Sequence, residues 1–387
     1  MENFFAGAID EALRLTREQN LAEATRVLLR SLSGNRSKTP TDGEQAALAA
    51  PRLDLTGDAA PRAEAAAARL RMPLGETLTR LRSGELPSFA LSPDALAKLG
   101  KRPTVRVPEG ASFLSRSFAC EAGTRPYKVY VPSKLRGARA PLIVMLHGCT
   151  QNADDFAVGA GMNRLAEEHG LVVAYPEQPL TANHLGCWNW FNEGDQRRDS
   201  GEPSIIAGVT RFLIAEMNLD PARVFVAGLS AGGAMADVMS ATYPDLYAAA
   251  GVHSGLPYGV ATDQASAFLA MSGKSSRRPR RAARRARTII FHGASDAKVH
   301  PTNADRIMSE ARAGISGTHH ETTQRGTSNG RHYRRTVVAD ERGVSQLEYW
   351  AIDGLGHAWS GGSPEASHTE PRGPDASLEM LRFFLES

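Results

Sequence analysis

The chain has 387 residues, 42% of them hydrophobic and 22% charged, the balance of a globular protein with room for one large domain and additional segments. Its net charge of +3 is uneven: Lys274–Arg287 holds one Lys and seven Arg and no acid, so +8 sits there and −5 on the rest. That distribution excludes a general basic surface for nucleic acid, and the lack of any run of about eighteen apolar residues excludes a membrane-spanning helix.

The first residues, 1–11, have neither a basic opening nor a sustained apolar stretch. No secretory signal is read there, so a cytoplasmic location is expected, with secretion as the alternative. The three cysteines, Cys120, Cys149 and Cys187, include no CxxC pair and form no disulfide framework; no metal and no cofactor is expected. Leu13, Leu21, Ala24, Val27, Leu28 and Leu32 recur at helical spacing. They predict an N-terminal helical segment over residues 1–33, either an association arm or a helix packed on its own domain. Residues 34–110 are rich in Ala and Pro and are expected to form a disordered linker. The folded domain is expected over residues 111–387.

Within it, Phe113–Ala119 and Tyr127–Val131 read as a hairpin separated by Gly123–Pro126. Leu142–Leu146 is a fully apolar strand, followed by a loop and a helix over Met162–His169. Leu171–Tyr175 is the next strand, and Ser204–Met217 is a helix with Ser204 as its N-cap. Val224–Ala227, Ala248–Val252 and Thr288–Phe291 are strands, and Thr302–Ala313 is a helix. Arg334–Ala339 and Gln346–Ile352 form a hairpin, and Pro374-Asp375 opens a final helix, Leu378–Leu385. Apolar strands alternating with helices predict an α/β protein: a mostly parallel central sheet of about eight strands with helices on both faces. The Arg-rich stretch falls between two of these strands, and reads as an exposed insertion or solvated helix end in preference to a polyanion site.

Gly228-Leu229-Ser230-Ala231-Gly232 is a G-x-S-x-G pentapeptide between an apolar strand and a helix-like run, Gly233–Met239. This is the strand–turn–helix context of the nucleophile elbow in the α/β-hydrolase fold. A serine hydroxyl needs a base within hydrogen-bond reach and a carboxylate to orient that base, and in this fold the order is Ser, acid, His. Asp296 follows the strand that ends at His292-Gly293, whereas Asp305 lies in the next helix and Asp263 precedes the strand. His357 follows the last strand in a Gly-flanked loop. His319, His320 and His332 read as solvated loop residues, and His253 as a supporting one. An oxyanion needs two N–H donors. Ala231 supplies one, and Cys149 or Thr150 the other, where Gly148 is expected to take an unusual backbone angle.

Five pieces of the chain carry a resemblance: Leu146-His147-Gly148-Cys149-Thr150-Gln151, Gly186-Cys187-Trp188-Asn189-Trp190-Phe191, the elbow, Val252-His253-Ser254-Gly255, and His357-Ala358-Trp359-Ser360-Gly361-Gly362. Residues 112–386 thereby resemble the polyhydroxybutyrate (PHB) depolymerase family of esterases, which shades into feruloyl and acetylxylan esterases. The resemblance implies a serine esterase with Ser230, Asp296 and His357 as catalytic triad and Cys149 and Ala231 as oxyanion hole. It also brings Cys149 and Cys187 to the rim of the site, as a disulfide pair or as two buried thiols. Trp188, Trp190 and Trp359 read either as a substrate-binding surface at the cleft mouth or as the packing of long loops.

Secreted members of that family carry a signal peptide and a polymer-binding domain, and this chain shows neither. The expected substrates are therefore soluble oligoesters, amorphous polyester or small esters in place of crystalline polymer. The expected partner is a polyester or small ester substrate. Association with a polymer granule is the other partner to weigh, and a granule-associated scaffold without catalysis is the non-enzymatic alternative. The oligomeric state is left open.

Overall fold

Leu142, Val144 and Leu146 pack into one hydrophobic cluster, while Ile143 and Met145, alternating with them, pack into another. A strand apolar at every position is one covered on both faces. The computed structural model describes residues 103–135 and 139–386. The expected helical segment over 1–33 lies outside these residues, as does the expected linker up to residue 102.

Strands β1 (Ser112–Cys120), β2 (Gly123–Val131), β3 (Leu142–Leu146), β4 (Val172–Pro176), β5 (Val224–Leu229), β6 (Ala249–His253), β7 (Arg287–Gly293), β8 (His319–Ser328), β9 (Arg331–Asp340) and β10 (Ser345–Ile352) form one sheet. Its order is β1-β2-β4-β3-β5-β6-β7-β10-β9-β8. The run from β4 to β10 in that order is parallel, and an antiparallel pair extends it at each edge. Helices α1 (Ala153–Ala160), α2 (Met162–His169) and α7 (Ala376–Leu385) cover one face. Helices α3 (Gly201–Glu216), α4 (Ala231–Thr242), α5 (Gln264–Met271) and α6 (Thr302–Ala313) cover the other. A small ribbon of β11 (Trp359–Ser360) and β12 (Thr369–Glu370) stands apart from the sheet. Among the described residues no helix is long and apolar enough to cross a membrane.

The sheet has ten strands where about eight are predicted. The polar run His319–Ser328 has no apolar alternation to reveal it, and it is a strand because it pairs along its whole length with β9. His319 and His320 therefore sit on the edge strand β8 and His332 on β9 beside it, not in a loop. The first hairpin turns at Glu121-Ala122, and Gly123–Pro126 belong to β2. Helix α3 starts at Gly201 with Ser200 as N-cap, and the Ser204 hydroxyl donates to the Gly201 carbonyl inside the first turn.

The Arg-rich stretch is a partly exposed strap stapled by its own arginines. Arg277 and Arg281 donate to the carbonyls of Gly259 and Ala313, and Arg280 lies over the Tyr258 ring. Arg287 donates to the carbonyls of Ser345, Phe383 and Glu386. Arg285 is buried against the Asp237 carboxylate of α4. Burial pushes the Asp237 carboxyl up, opposed by the Arg285 charge. Arg285→Met strands that carboxylate and is expected to cost about 3–5 kcal/mol. Urea denaturation checks this, with the exposed Arg278→Met expected to leave the midpoint unchanged.

Candidate active site

Ser230 stands between β5 and α4 with φ 57 and ψ −117, in the positive-φ region that favours glycine. Holding a non-glycine residue there costs about 1–3 kcal/mol. Two bonds hold it: its N–H donates to the His253 carbonyl at 2.9 Å, and its carbonyl accepts from the Ala234 N–H at 2.8 Å. The glycines of the pentapeptide make room. A Cβ on Gly232 would run into the carbonyls of Leu146 and His147, and one on Gly228 into Gly232. Elbow and β3 terminus thus meet backbone to backbone.

Strands β7 and β10 are hydrogen-bonded neighbours, so the loops that follow them leave the sheet side by side. The Ala294 N–H donates to the Ile352 carbonyl at 2.9 Å and the Ser295 N–H to the Leu355 carbonyl at 3.0 Å. This brings together residues far apart in the chain. His357 Nδ1 lies 2.7 Å from Asp296 Oδ2, and its Nε2 lies 2.8 Å from Ser230 Oγ. Asp296 is buried, and its Oδ1 accepts from the Lys298 and Val299 N–H groups, each at 2.9 Å. Burial pushes its carboxyl up. The His357 bond and charge, the Val299 N–H and His292 outweigh that and hold it below its ordinary value. An ionised carboxylate only accepts, so the imidazole proton sits on Nδ1 and Nε2 is free to accept from the serine hydroxyl. Asp305 lies within α6, and Asp263 caps α5.

On the other side of Ser230, the Gly148 N–H donates to Gln151 Oε1 at 2.9 Å and the Thr150 N–H to the Leu185 carbonyl at 2.8 Å. Between them the Cys149 N–H has no acceptor among the described residues. The Ala231 N–H, first in α4, is orphaned by helix geometry. A Cβ on Gly148 would stand 3.6 Å from Ser230 Cβ and 3.1 Å from Gln151 Oε1. A side chain there would crowd the Gln151 amide oxygen, and the positive φ expected of Gly148 falls on Thr150, at 66.

The family profile for Esterase PHB depolymerase matches residues 125–333, more than half of the chain. The chain belongs to the PHB depolymerase esterase family. The match takes in Ser230 and Asp296 and stops short of His357, whose position is known from the geometry above. Among curated proteins the chain is similar to poly(3-hydroxyalkanoate) depolymerase C of Paucimonas lemoignei, 34% identical over 271 residues, or 66% of this chain and 64% of that protein. It is also similar to acetylxylan esterase A of Talaromyces purpureogenus, 29% identical over 256 residues, or 60% of this chain and 64% of that protein. It thus spans less than two thirds of the length of either relative. Among solved structures it shares its fold with the acetyl xylan esterase from Aspergillus awamori, at a TM-score of 0.53 and 22% identity over 71% of this chain and 98% of that one.

Around this site lies a frame of which the motifs reveal only the two cysteines. A disulfide joins Cys149 to Cys187, with Cα atoms 4.2 Å apart. Beneath it Glu202 accepts from the Asn189 N–H and Nδ2, each at 2.7 Å, from Gln178 Nε2, and from an Arg125 guanidinium nitrogen at 3.4 Å. Burial, then the nearby Asp195 charge, push the Glu202 carboxyl up to about 7 despite these donors. His147 Nδ1 donates to the Gly148 carbonyl at 2.8 Å, and its Nε2 accepts from the Gln178 N–H at 3.0 Å. Gln151 Nε2 donates to Asp155 Oδ2 at 2.8 Å. Glu202, Gln178 and Asp155 escape sequence reading because their partners come from distant loops. Among the described residues no group of three or more His, Cys, Asp or Glu side chains could hold a metal ion.

The three tryptophans do not form a cleft-mouth surface. Trp188, Trp190 and Trp359 are 0%, 6% and 1% exposed. Trp359 stacks on His253, meets Phe156 edge-on and donates from Nε1 to the Ser377 hydroxyl. His253 lies between Phe291 and Trp359 and accepts the Ser360 N–H at Nε2, at 3.0 Å. Burial foremost, with His292 and His357, lowers its pKa to about 3, which keeps it neutral. Trp188 packs against His147. The rings are the cores of their loops, because a loop poor in helix or strand contacts needs large apolar groups to bury.

Two outcomes follow for the frame. The Glu202 pKa is raised on folding, so its contribution to stability is complete below about 4.3 and is lost as pH rises through about 7. Urea denaturation from pH 5 to 8 is expected to show this decline, and Glu202→Gln to flatten it. The disulfide spans a sequence separation of 38, worth about 4 kcal/mol. Cys187→Ser is expected to lower unfolding free energy by that order, with a drop in kcat larger than the change in KM, because Cys149 is released.

Proposed function

We propose that the protein is a serine carboxylesterase that works through an acyl-enzyme. Its substrates are polyhydroxyalkanoate-type polyesters, their oligoesters or related short-chain esters. One observation carries this reading: the line Asp296–His357–Ser230, with bonds of 2.7 and 2.8 Å, beside two N–H groups that have no acceptor. Ser230 Oγ attacks the acyl carbon as its proton passes to His357 Nε2. The Cys149 and Ala231 N–H groups hold the oxyanion, each donor of this kind being worth about 10²–10³ in kcat. His357 then protonates the departing alcohol. Water, deprotonated by the same imidazole, cleaves the acyl-enzyme and releases the acid, while Asp296 orients the ring throughout.

Family membership supports ester cleavage, and the two named relatives support polyester and acetylated polysaccharide as the substrate classes to compare. A granule scaffold without catalysis gains nothing from holding Ser230 at positive φ. The disulfide supports an oxidising compartment, which favours export over the cytoplasm.

Ser230→Ala is expected to lower p-nitrophenyl butyrate hydrolysis by about 10⁴-fold or more with an unchanged circular dichroism spectrum. Undiminished turnover in the purified variant overturns the assignment. Fluorophosphonate labelling at Ser230 separates an enzyme from a scaffold. A panel of 3-hydroxybutyrate oligomers, amorphous polyhydroxybutyrate, feruloyl esters and acetylated xylan ranks the substrates.

A further inference from the structure

The β8–β9 hairpin sets two arginines directly opposite each other, Arg325 against Arg334. Residues in register share a face of the sheet, and like charges at such positions are destabilising by up to about 1 kcal/mol. The neighbouring arginines of β9 are matched, Arg331 with Glu370 and Arg335 with Glu348. Arg325 and Arg334 have no hydrogen-bond or ion-pair partner among the described residues. Together with Thr327, His332, Ala294 and Asp353 they line a cavity of about 690 Å³. Asp353 lies on its wall and Asp305 beside Tyr349, and neither is paired with these guanidiniums.

The cavity adjoins the loops that carry Asp296 and His357, since Ala294 and Asp353 are the first residues beyond β7 and β10. In sheet order β9 lies four strands from β5, which at the usual strand spacing is about 19 Å. We infer that this cavity holds the free carboxylate end of an ester chain whose scissile bond lies at Ser230. The inference rests on the esterase reading above. Paired guanidiniums take a carboxylate through charge-assisted bonds, and such an anion relieves the repulsion that the hairpin otherwise bears. At about 5 Å for an extended four-bond repeat, the span corresponds to on the order of four hydroxyacid units. The site therefore selects acid-ended oligomers over interior stretches of polymer.

Binding is measured without turnover on Ser230→Ala, by calorimetric titration with a 3-hydroxybutyrate pentamer as the free acid and as its terminal methyl ester. The acid is expected to bind about ten-fold more tightly than the methyl ester, and Arg325→Gln/Arg334→Gln to erase that difference. The double substitution removes a repulsion, so its thermal midpoint is expected to be no lower. With Ser230 intact, it is expected to raise KM for the acid-ended pentamer about ten-fold and to leave p-nitrophenyl butyrate hydrolysis unchanged. Equal binding of acid and methyl ester, equal loss of both in the double variant, or no binding of either overturns the inference. Failure of the chain with Ser230 intact to hydrolyse any of these esters overturns the esterase reading instead, whatever the titrations give.

Discussion

Close approach of two stretches of bare backbone governs this molecule. The elbow at Gly228–Gly232 lies against the carbonyls at the end of β3, where a single added Cβ has no space. The contact puts the positive-φ serine beside the loop that carries Cys149. It also sets the start of α4, with its orphan Ala231 N–H, next to the loop whose Cys149 N–H has no acceptor among the described residues. The strain at Ser230 is held by bonds to the His253 carbonyl and from the Ala234 N–H, both made by neighbours already fixed in β6 and α4. Sheet and helix packing thus over-determine a conformation that the residue alone would avoid.

The rest of the site follows from the order of strands. Because β7 pairs with β10, a carboxylate and an imidazole remote in sequence come within hydrogen-bond reach. Asp296 is buried, yet both its oxygens are occupied by donors, which keeps it ionised where burial alone would protonate it. One layer down the balance reverses, and burial with the Asp195 charge raises the Glu202 carboxyl in spite of its donors. Glu202 sits under the Cys187–Trp190 loop with its donors supplied by Asn189, Gln178 and Arg125. Together with the disulfide, this network fixes a loop that has almost no regular secondary structure.

The legible parts of the chain were those with a local signature. Strand β3 and helix α6 match their predicted limits, because an unbroken apolar run and a helical repeat each need no information from elsewhere. The elbow was visible because small residues are demanded by close contact within five positions. Strand β8 was not, since its polarity fits an edge strand and a loop equally, and only pairing with β9 decides. The tryptophans stay open in sequence between a cleft surface and a loop core for a related reason: an aromatic ring serves both alike, and only their burial decides for the core. The positive φ that the sequence suggests for Gly148 falls instead on Thr150, since only the folded loop decides which residue takes the turn.

What the sequence determined by itself was the α/β alternation, the elbow, and the chain order of a serine, an acid and a histidine. These depend on periodicity and on residue types within short windows. Tertiary structure alone decided the sulfur pairing, the donors around Glu202, the stapling of the Arg-rich strap, and the facing arginines of β8 and β9. Each of these joins residues whose proximity is created by strand order and loop packing, and no short stretch of chain encodes a distance across the sheet.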